Sequence, residues 1–353
     1  YKMMKPKLSS TCLFLVITLL SLTLNSSHGF VNNKAKQLMN PFPFIIISHQ
    51  RHHQESSAIG LCGGCRPPLN NNNNDQIVIR QPTKLDAMPI GNLLPALAQS
   101  LFRYQGNVPL SQAFALNAFL FAVLRTKLRK MLTTEGIFHS LFLGTALWTT
   151  LGWRGWTTCV MYLFLGSTVT KVKFKEKEKL GIAEGRGGRR GPENVWGSAA
   201  TGLLCALCFA QGPKFLGIPS NIYTLGYVAS LATKLSDTFA SEIGKAYGKT
   251  TFLITTLERV PPGTEGAVSV QGTAASIVGG ALISMYGFSI GLITFPAVPI
   301  SIVAAFIATN IESVLGATLQ GKENLEWITN EVVNFVNTLI GAAIAIIGGM
   351  VFF

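Results

Sequence analysis

Between Lys234 and Gly266 the sequence reads KLSDTFASEIGKAYGKTTFLITTLERVPPGTEG, with four acidic and four basic side chains set between two long apolar runs. Asp237 and Glu242 are five positions apart; if the preceding helix continues through them, they occupy neighbouring faces at its end, with Lys245 on the next turn. Such carboxylates can hold Mg²⁺, which takes one or two protein oxygens and completes its shell with substrate phosphates. Lys245 and Lys249, each preceded by glycine, can approach those phosphates as point charges. Phosphoryl transfer asks for little beyond positioning, a metal and cations around the developing charge. The competing reading is a helix end at a membrane surface whose ion pairs are already satisfied. VPPGTEG at 260–266 sets a turn with two prolines and two glycines. There Thr264 offers a hydroxyl, Glu265 a further metal ligand, and a helix starting near Gly266 the positive end of its dipole. The same residues read equally well as a helix cap. A further polar group comprises Asn310, Glu312, Ser313, Gln320, Asn330, Glu331 and Asn334. Of these, Glu312 and Asn334 fall at or inside apolar runs, where a carboxylate or amide needs a partner.

The elements that must position these groups are membrane helices. Of the 353 residues, 48% are hydrophobic and 13% charged, against about 25% charged in an ordinary soluble domain. From Pro109 onward, apolar stretches at 109–124, 137–151, 153–170, 196–211, 217–235, 266–286, 288–310 and 330–351 predict an all-α, polytopic transmembrane bundle of about seven or eight spans. The second is short enough to be a tilted or re-entrant element. The formal charge of +13 does not call for nucleic acid, because the cations follow the topology. Arg125, Lys127, Arg129 and Lys130 follow the first run, Lys171 to Arg190 the third, and Lys234, Lys245, Lys249 and Arg259 the fifth. The opposite loops hold little more than Arg154 and Lys214, so all large polar loops are expected on one face. The expected partners are therefore a lipid bilayer and a nucleoside triphosphate.

Residues 1–104 have another character. Lys2, Lys5 and Lys7 precede an apolar run from Cys12 to Leu24, the layout of a secretory signal. An acid-poor stretch with the run Asn70 to Asn74 comes next, a composition expected to be disordered. Two readings fit: a simple secretory signal with an extension, or a bipartite plastid leader similar to those of algae with complex plastids, with Phe30 after the cleavage point. The domain division is thus a targeting leader at 1–104 and a polytopic catalytic domain at 105–353. Cys62 and Cys65 form a lone CxxC without a second pair, which argues against zinc. The GRGGRRG at 185–191 is no dinucleotide fingerprint, since it follows no predicted strand and places Arg190 where the third glycine belongs. It reads either as a phosphate-contacting loop or as a solvated connector.

Taken in order, SDTFASEIGKAYGK at 236–249, VPPGTEGAVSVQGTAAS at 260–276, ESVLGATLQ at 312–320 and TNEVVNFVNTLIGA at 329–342 resemble a widespread family of integral membrane proteins. One branch of that family is the plant plastid phytyl-phosphate kinase of tocopherol synthesis. The resemblance runs over about residues 105–353, and STVTKVKFKEKEKLG at 167–181 is similar to the family's basic loop. More distantly the family resembles membrane polyprenol kinases and phosphatidate cytidylyltransferases, which use CTP with Mg²⁺. The resemblance implies that Asp237 and Glu242 hold the metal-bound nucleotide, with Lys245 and Lys249 on its phosphates. Lys171, Lys173, Arg189 and Arg190 would receive an isoprenoid monophosphate, and Glu312 and Asn334 would complete the site. It also implies a multi-pass plastid membrane protein. A transporter or flippase of phosphorylated lipids is the alternative from another class, although no internal repeat supports it.

Overall fold

The computed structural model describes residues 108–353 apart from 321 and 324; the expected leader, its signal-like run and the CxxC lie outside the described residues. The main helices are α1 (Leu110–Val123), α3 (Thr134–Thr170), α5 (Pro192–Ala210), α6 (Ser220–Tyr247), α7 (Val270–Ser289), α8 (Ala297–Leu319) and α9 (Asn330–Phe352). Two short helices, α2 (Arg125–Leu128) and α4 (Phe174–Lys179), lie in the basic connections. Two-residue antiparallel ladders pair β1 (Lys214–Phe215) with β2 (Ile218–Pro219), and β3 (Phe252–Leu253) with β4 (Ala267–Val268). The architecture is helical throughout, as the apolar runs predict. By length and composition α8 and α9 can each cross a membrane.

The expected second and third runs form one helix by hydrogen bonding, broken at Gly152, whose φ of 66° and ψ of −158° lie outside the helical region. Glycine permits that backbone. In a straight helix residues 144 and 156 would be about 18 Å apart, yet Trp156 Nε1 lies 3.1 Å from the position a Cβ on Gly144 would take. The Trp148 and Trp156 rings are likewise 5.1 Å apart. The chain therefore doubles back at Gly152. Buried Asn117 on α1 pins this hairpin: its Nδ2 donates to Leu141 O (2.8 Å) and Thr145 Oγ1 (3.2 Å), while Trp156 Nε1 donates to its Oδ1 (2.9 Å).

Helix α6 is the axis, packed against α3, α5, α7, α8 and α9. Residues 222–238 are buried on every side, with Leu225, Tyr227, Val228, Leu231 and Leu235 in the core. Small and hydroxylated residues fill much of the remaining interior, including Ser230, Thr233, Ser284, Ser301 and Thr338. Large apolar side chains such as Ile277, Leu282, Val303, Ile307, Leu339 and Ile347 are exposed. That distribution inverts the soluble pattern and suits helices packed through small residues with their apolar faces toward lipid. At Gly341 a Cβ would fall 2.0 Å from Thr233 Oγ1, so α9 reaches α6 only because glycine is there.

Helix α6 runs past the expected end of its apolar run at 235 and continues to Tyr247, carrying the polar residues of the 234–247 segment as helix. The basic loops meet at the same end. Arg190 N–H donates to Met131 O (2.9 Å) and Thr133 N–H to Arg190 O (3.0 Å). The Lys173 ammonium lies 4.3 Å from the centre of the Tyr247 ring. Arg154 is at the other end, donating to Gly291 O at 3.2 Å.

Candidate active site

The polar end of the bundle encloses a cavity of about 290 Å³. Its floor is the last part of α6, where Lys234, Asp237, Thr238, Glu242 and Lys245 face the space, and α8 adds Thr309, Asn310, Glu312 and Ser313. The loop 188–190 and the start of α5, with Asn194 and Ser198, form one wall. The segment 262–269 forms another, and Asn330 and Asn334 enter from α9.

Lys234 is the centre of the charge arrangement. Its Nζ donates to Asp237 Oδ2 at 2.5 Å and to Asn334 Oδ1 at 2.6 Å, and the lysine is only 7% exposed. Asp237 and Glu312 both act electrostatically on Lys234, and Glu312 also feels the Glu265 carboxylate. Thr309 donates to Ser236 Oγ at 3.0 Å and ties α8 to α6 just behind them. Among the described residues no group of three or more His, Cys, Asp or Glu side chains could hold a metal. The donors are hard oxygens, and Asp237 with Glu312 matches the one or two carboxylates that Mg²⁺ takes when phosphates complete its shell.

Glu242 has another partner. Lys177 on α4 is 1% exposed and donates from Nζ to the Glu242 carboxylate and to Thr170 O (2.9 Å). Burial raises the Glu242 carboxyl above its ordinary range against the lowering effect of that ammonium. Glu242 and Asp237 thus each have a lysine partner of their own, Lys177 and Lys234, while both line the cavity.

Three helix starts open on the cavity. Asn194 lies in the first turn of α5, where its Oδ1 accepts from Gly191 N–H at 3.0 Å. Ser269 caps α7 by accepting from Gly272 N–H at 3.1 Å, and Asn330 begins α9. The positive ends of these helices favour an anion between them. The expected helix start near Gly266 lies further on, at Val270, because Thr264 does not cap it: its hydroxyl donates to Pro261 O at 2.8 Å and closes the turn. Gly266, at φ 75°, packs so closely on α8 that a Cβ would lie 2.4 Å from Ala317 Cβ and 2.6 Å from Ser313 O.

Of the residues singled out in the sequence, Asp237, Glu242, Lys245, Glu312, Thr264, Glu265, Gly266, Arg189, Arg190, Asn330 and Asn334 line the one cavity. Lys171, Lys173 and Lys249 do not. Lys171 and Lys249 are exposed, and Lys173 pairs with Glu176 at 3.4 Å beside Tyr247. Lys234 lines the cavity as well, and Lys177 reaches it through Glu242, although hydropathy and charge present both only as topology-setting cations. For Lys234 a signal exists, its place three residues before Asp237 on one helix face; for Lys177 the alternating Lys and Glu of its run reads as a solvated helix. Arg190 is held by its backbone, its guanidinium donating to the Tyr162 hydroxyl and lying 5.0 Å from the ring centre. Tyr162 donates onward to Ser198 Oγ at 2.9 Å.

This helical fold, with a polar cavity at one end of an apolar bundle, is that of an integral membrane protein. The family model for the integral membrane protein DUF92 matches residues 117–342, and the chain belongs to that family. It is 54% identical over 252 residues to an uncharacterized membrane protein, sll0875, of Synechocystis, covering 71% of this chain and 95% of that one. It is 42% identical over 238 residues to Protein VTE6, chloroplastic, of Arabidopsis thaliana, covering 67% and 70% respectively. An uncharacterized membrane protein of Methanocaldococcus jannaschii, MJ0933, is 30% identical over 227 residues, 64% of this chain and 88% of its own. No solved structure matches.

Proposed function

We propose that the protein is a prenyl-phosphate kinase of a plastid membrane, with seven or eight spans, that transfers the terminal phosphoryl group of a nucleoside triphosphate to phytyl phosphate or a similar isoprenoid monophosphate. The observation that carries the reading is the cavity in which Arg189, Arg190, Lys245 and three helix starts meet the Lys234, Asp237 and Glu312 cluster. Cations and amides suit two sets of phosphates, whereas the acidic cluster suits the metal that accompanies a triphosphate. The 42% identity to Protein VTE6, chloroplastic, supports the plastid membrane, the resemblance of the ordered motifs to plastid phytyl-phosphate kinase supports the substrate class, and the more distant resemblance to membrane polyprenol kinases and phosphatidate cytidylyltransferases supports CTP as donor. An isoprenoid chain stays in lipid while its phosphate reaches the polar end, which explains a kinase without a soluble nucleotide fold.

In the reaction, an oxygen of the acceptor monophosphate attacks the terminal phosphorus of the triphosphate. The bond from that phosphorus to the bridging oxygen breaks, and the products are the prenyl diphosphate and the nucleoside diphosphate. Arg189 and Arg190 hold the acceptor phosphate, and Lys245 with the amides of α5 and α7 balances charge on the donor. Asp237 and Glu312 would hold Mg²⁺, which supplies charge neutralisation across the transferring phosphates. Lys234, held between Asp237 and Asn334, orients Asp237, while the Lys177–Glu242 pair fastens the basic loop to α6.

Purified protein with Mg²⁺, CTP and phytyl phosphate should release phytyl diphosphate and CDP in equal amounts in detergent, without a gradient. Failure with CTP, ATP, GTP and UTP in turn would reject the kinase. Movement of phytyl phosphate between vesicle leaflets without nucleotide would establish a flippase in its place.

A further inference from the structure

A second, smaller cavity of about 60 Å³ lies between the α3 hairpin and α5, and its wall is almost entirely apolar, including Leu143, Cys159, Leu163 and Ala199. Arg190, Asn194 and Ser198 line both this space and the polar cavity. The two therefore share one wall. At that wall the Arg190 guanidinium is positioned by Tyr162, which in turn donates to Ser198. An anionic group on Arg190 would have phosphate-binding space on one side and an apolar slot on the other.

We infer that this slot between α3 and α5 seats the first isoprene unit of the acceptor, so that the lipid enters beside α3 and α5 and presents its phosphate at Arg190. The inference rests on the prenyl-phosphate reading and adds the position and polarity of the lipid. Size agrees: at roughly 10–15 Å³ for each water-sized group, the slot takes about four to six heavy atoms, which is one isoprene unit and much less than a long chain. The rest of the chain must then continue outward. Phe138 and Phe142, on the first arm of the hairpin, are 68% and 63% exposed and offer an apolar surface along which it can leave. The nucleoside triphosphate is confined to the other side of Arg190, next to Asp237 and Glu312. The acceptor phosphate then meets the terminal phosphorus of the donor inside the polar cavity beside Arg190, while only the isoprene unit lies beyond that wall, and the acceptor is selected by the shape of the isoprene unit that carries its phosphate.

The test uses the whole protein in detergent and a phytyl phosphate analogue with a diazirine on its first isoprene unit. After photolysis, adducts are expected on residues 156–163 or 195–199, and unlabelled phytyl phosphate should suppress them; adducts confined to α8 or α9 would overturn the inference. Filling the slot from either side provides the kinetic arm. Cys159→Phe and Ala199→Phe should each raise the KM for phytyl phosphate at least tenfold and leave the KM for nucleotide within about twofold. If either variant folds and binds phytyl phosphate as tightly as the wild type, the seat is wrong. Labelling requires no turnover, so adducts without diphosphate formation would refute the kinase and keep the seat. Turnover with adducts elsewhere would do the reverse.

Discussion

Replacing Lys234 by methionine tests the charge arrangement most directly. Asp237 is 9% exposed, and Lys234 Nζ, at 2.5 Å, is its cation in the structure; Asn334 takes the other side of the ammonium at 2.6 Å. Methionine keeps the unbranched stem and removes the charge, leaving a buried carboxylate without its partner. Breaking a buried pair in this way costs about 3–5 kcal/mol. On the scale of about 2–4 °C per kcal/mol for a domain of 150–250 residues, the melting temperature should fall by roughly 6–20 °C. Asp237→Asn alone should cost less, since Asn334 remains for the ammonium. The double variant Lys234→Met with Asp237→Asn removes both charges, so it should be less destabilised than the two single losses combined, by about 1–3 kcal/mol. Thermal unfolding of the three variants and the wild type in one detergent, followed by tryptophan fluorescence, gives the cycle. Losses that add to within about 0.5 kcal/mol would mean the two side chains do not depend on each other, and Lys234 would then have no claim to position Asp237.

The other predictions address chemistry and packing separately. Asp237→Asn should lower turnover of phytyl phosphate at least a hundredfold with membrane insertion unchanged, and a chelator should abolish wild-type turnover until Mg²⁺ is restored. Lys177→Met should free the 171–190 loop, seen as faster amide exchange at 174–190 with the α8 and α9 amides unaffected; unchanged protection would refute the fastening role. Gly341→Ala forces a Cβ to within 2.0 Å of Thr233 Oγ1 and should destabilise by about 1–3 kcal/mol, part of which Thr233→Ala should recover. Gly266→Ala should weaken nucleotide binding through displacement of the 262–269 wall, read as a raised nucleotide KM at constant KM for the lipid.

Much of the helical order comes from hydropathy. The run expected at 109–124 is the helix 110–123, and the division expected between 151 and 153 is the break at Gly152. Others drift: the seventh run, expected at 288–310, is the helix 297–319, because apolar residues of the preceding loop, such as Ile290 and Ile293, are also buried and carry the same hydropathy as helix. The polar extension of α6 to Tyr247 is readable only as a condition, since hydropathy ends at 235 while hydrogen bonding does not.

Composition and order along the chain are enough to establish apolar helices with basic loops sharing one end, because lipid and topology act on properties averaged over whole segments. They also single out most of the charged residues that line the cavity, since charge beside a membrane helix is costly enough to be conspicuous. Which side chain partners which is settled by packing alone. Lys173 and Lys177 are four residues apart in one basic run, yet the first lies beside Tyr247 at the surface and the second is buried on Glu242. Lys234 and Asn334 meet across 100 positions. Pairing of this kind depends on how α4, α6 and α9 pack, at distances of a few ångströms where local composition carries no information.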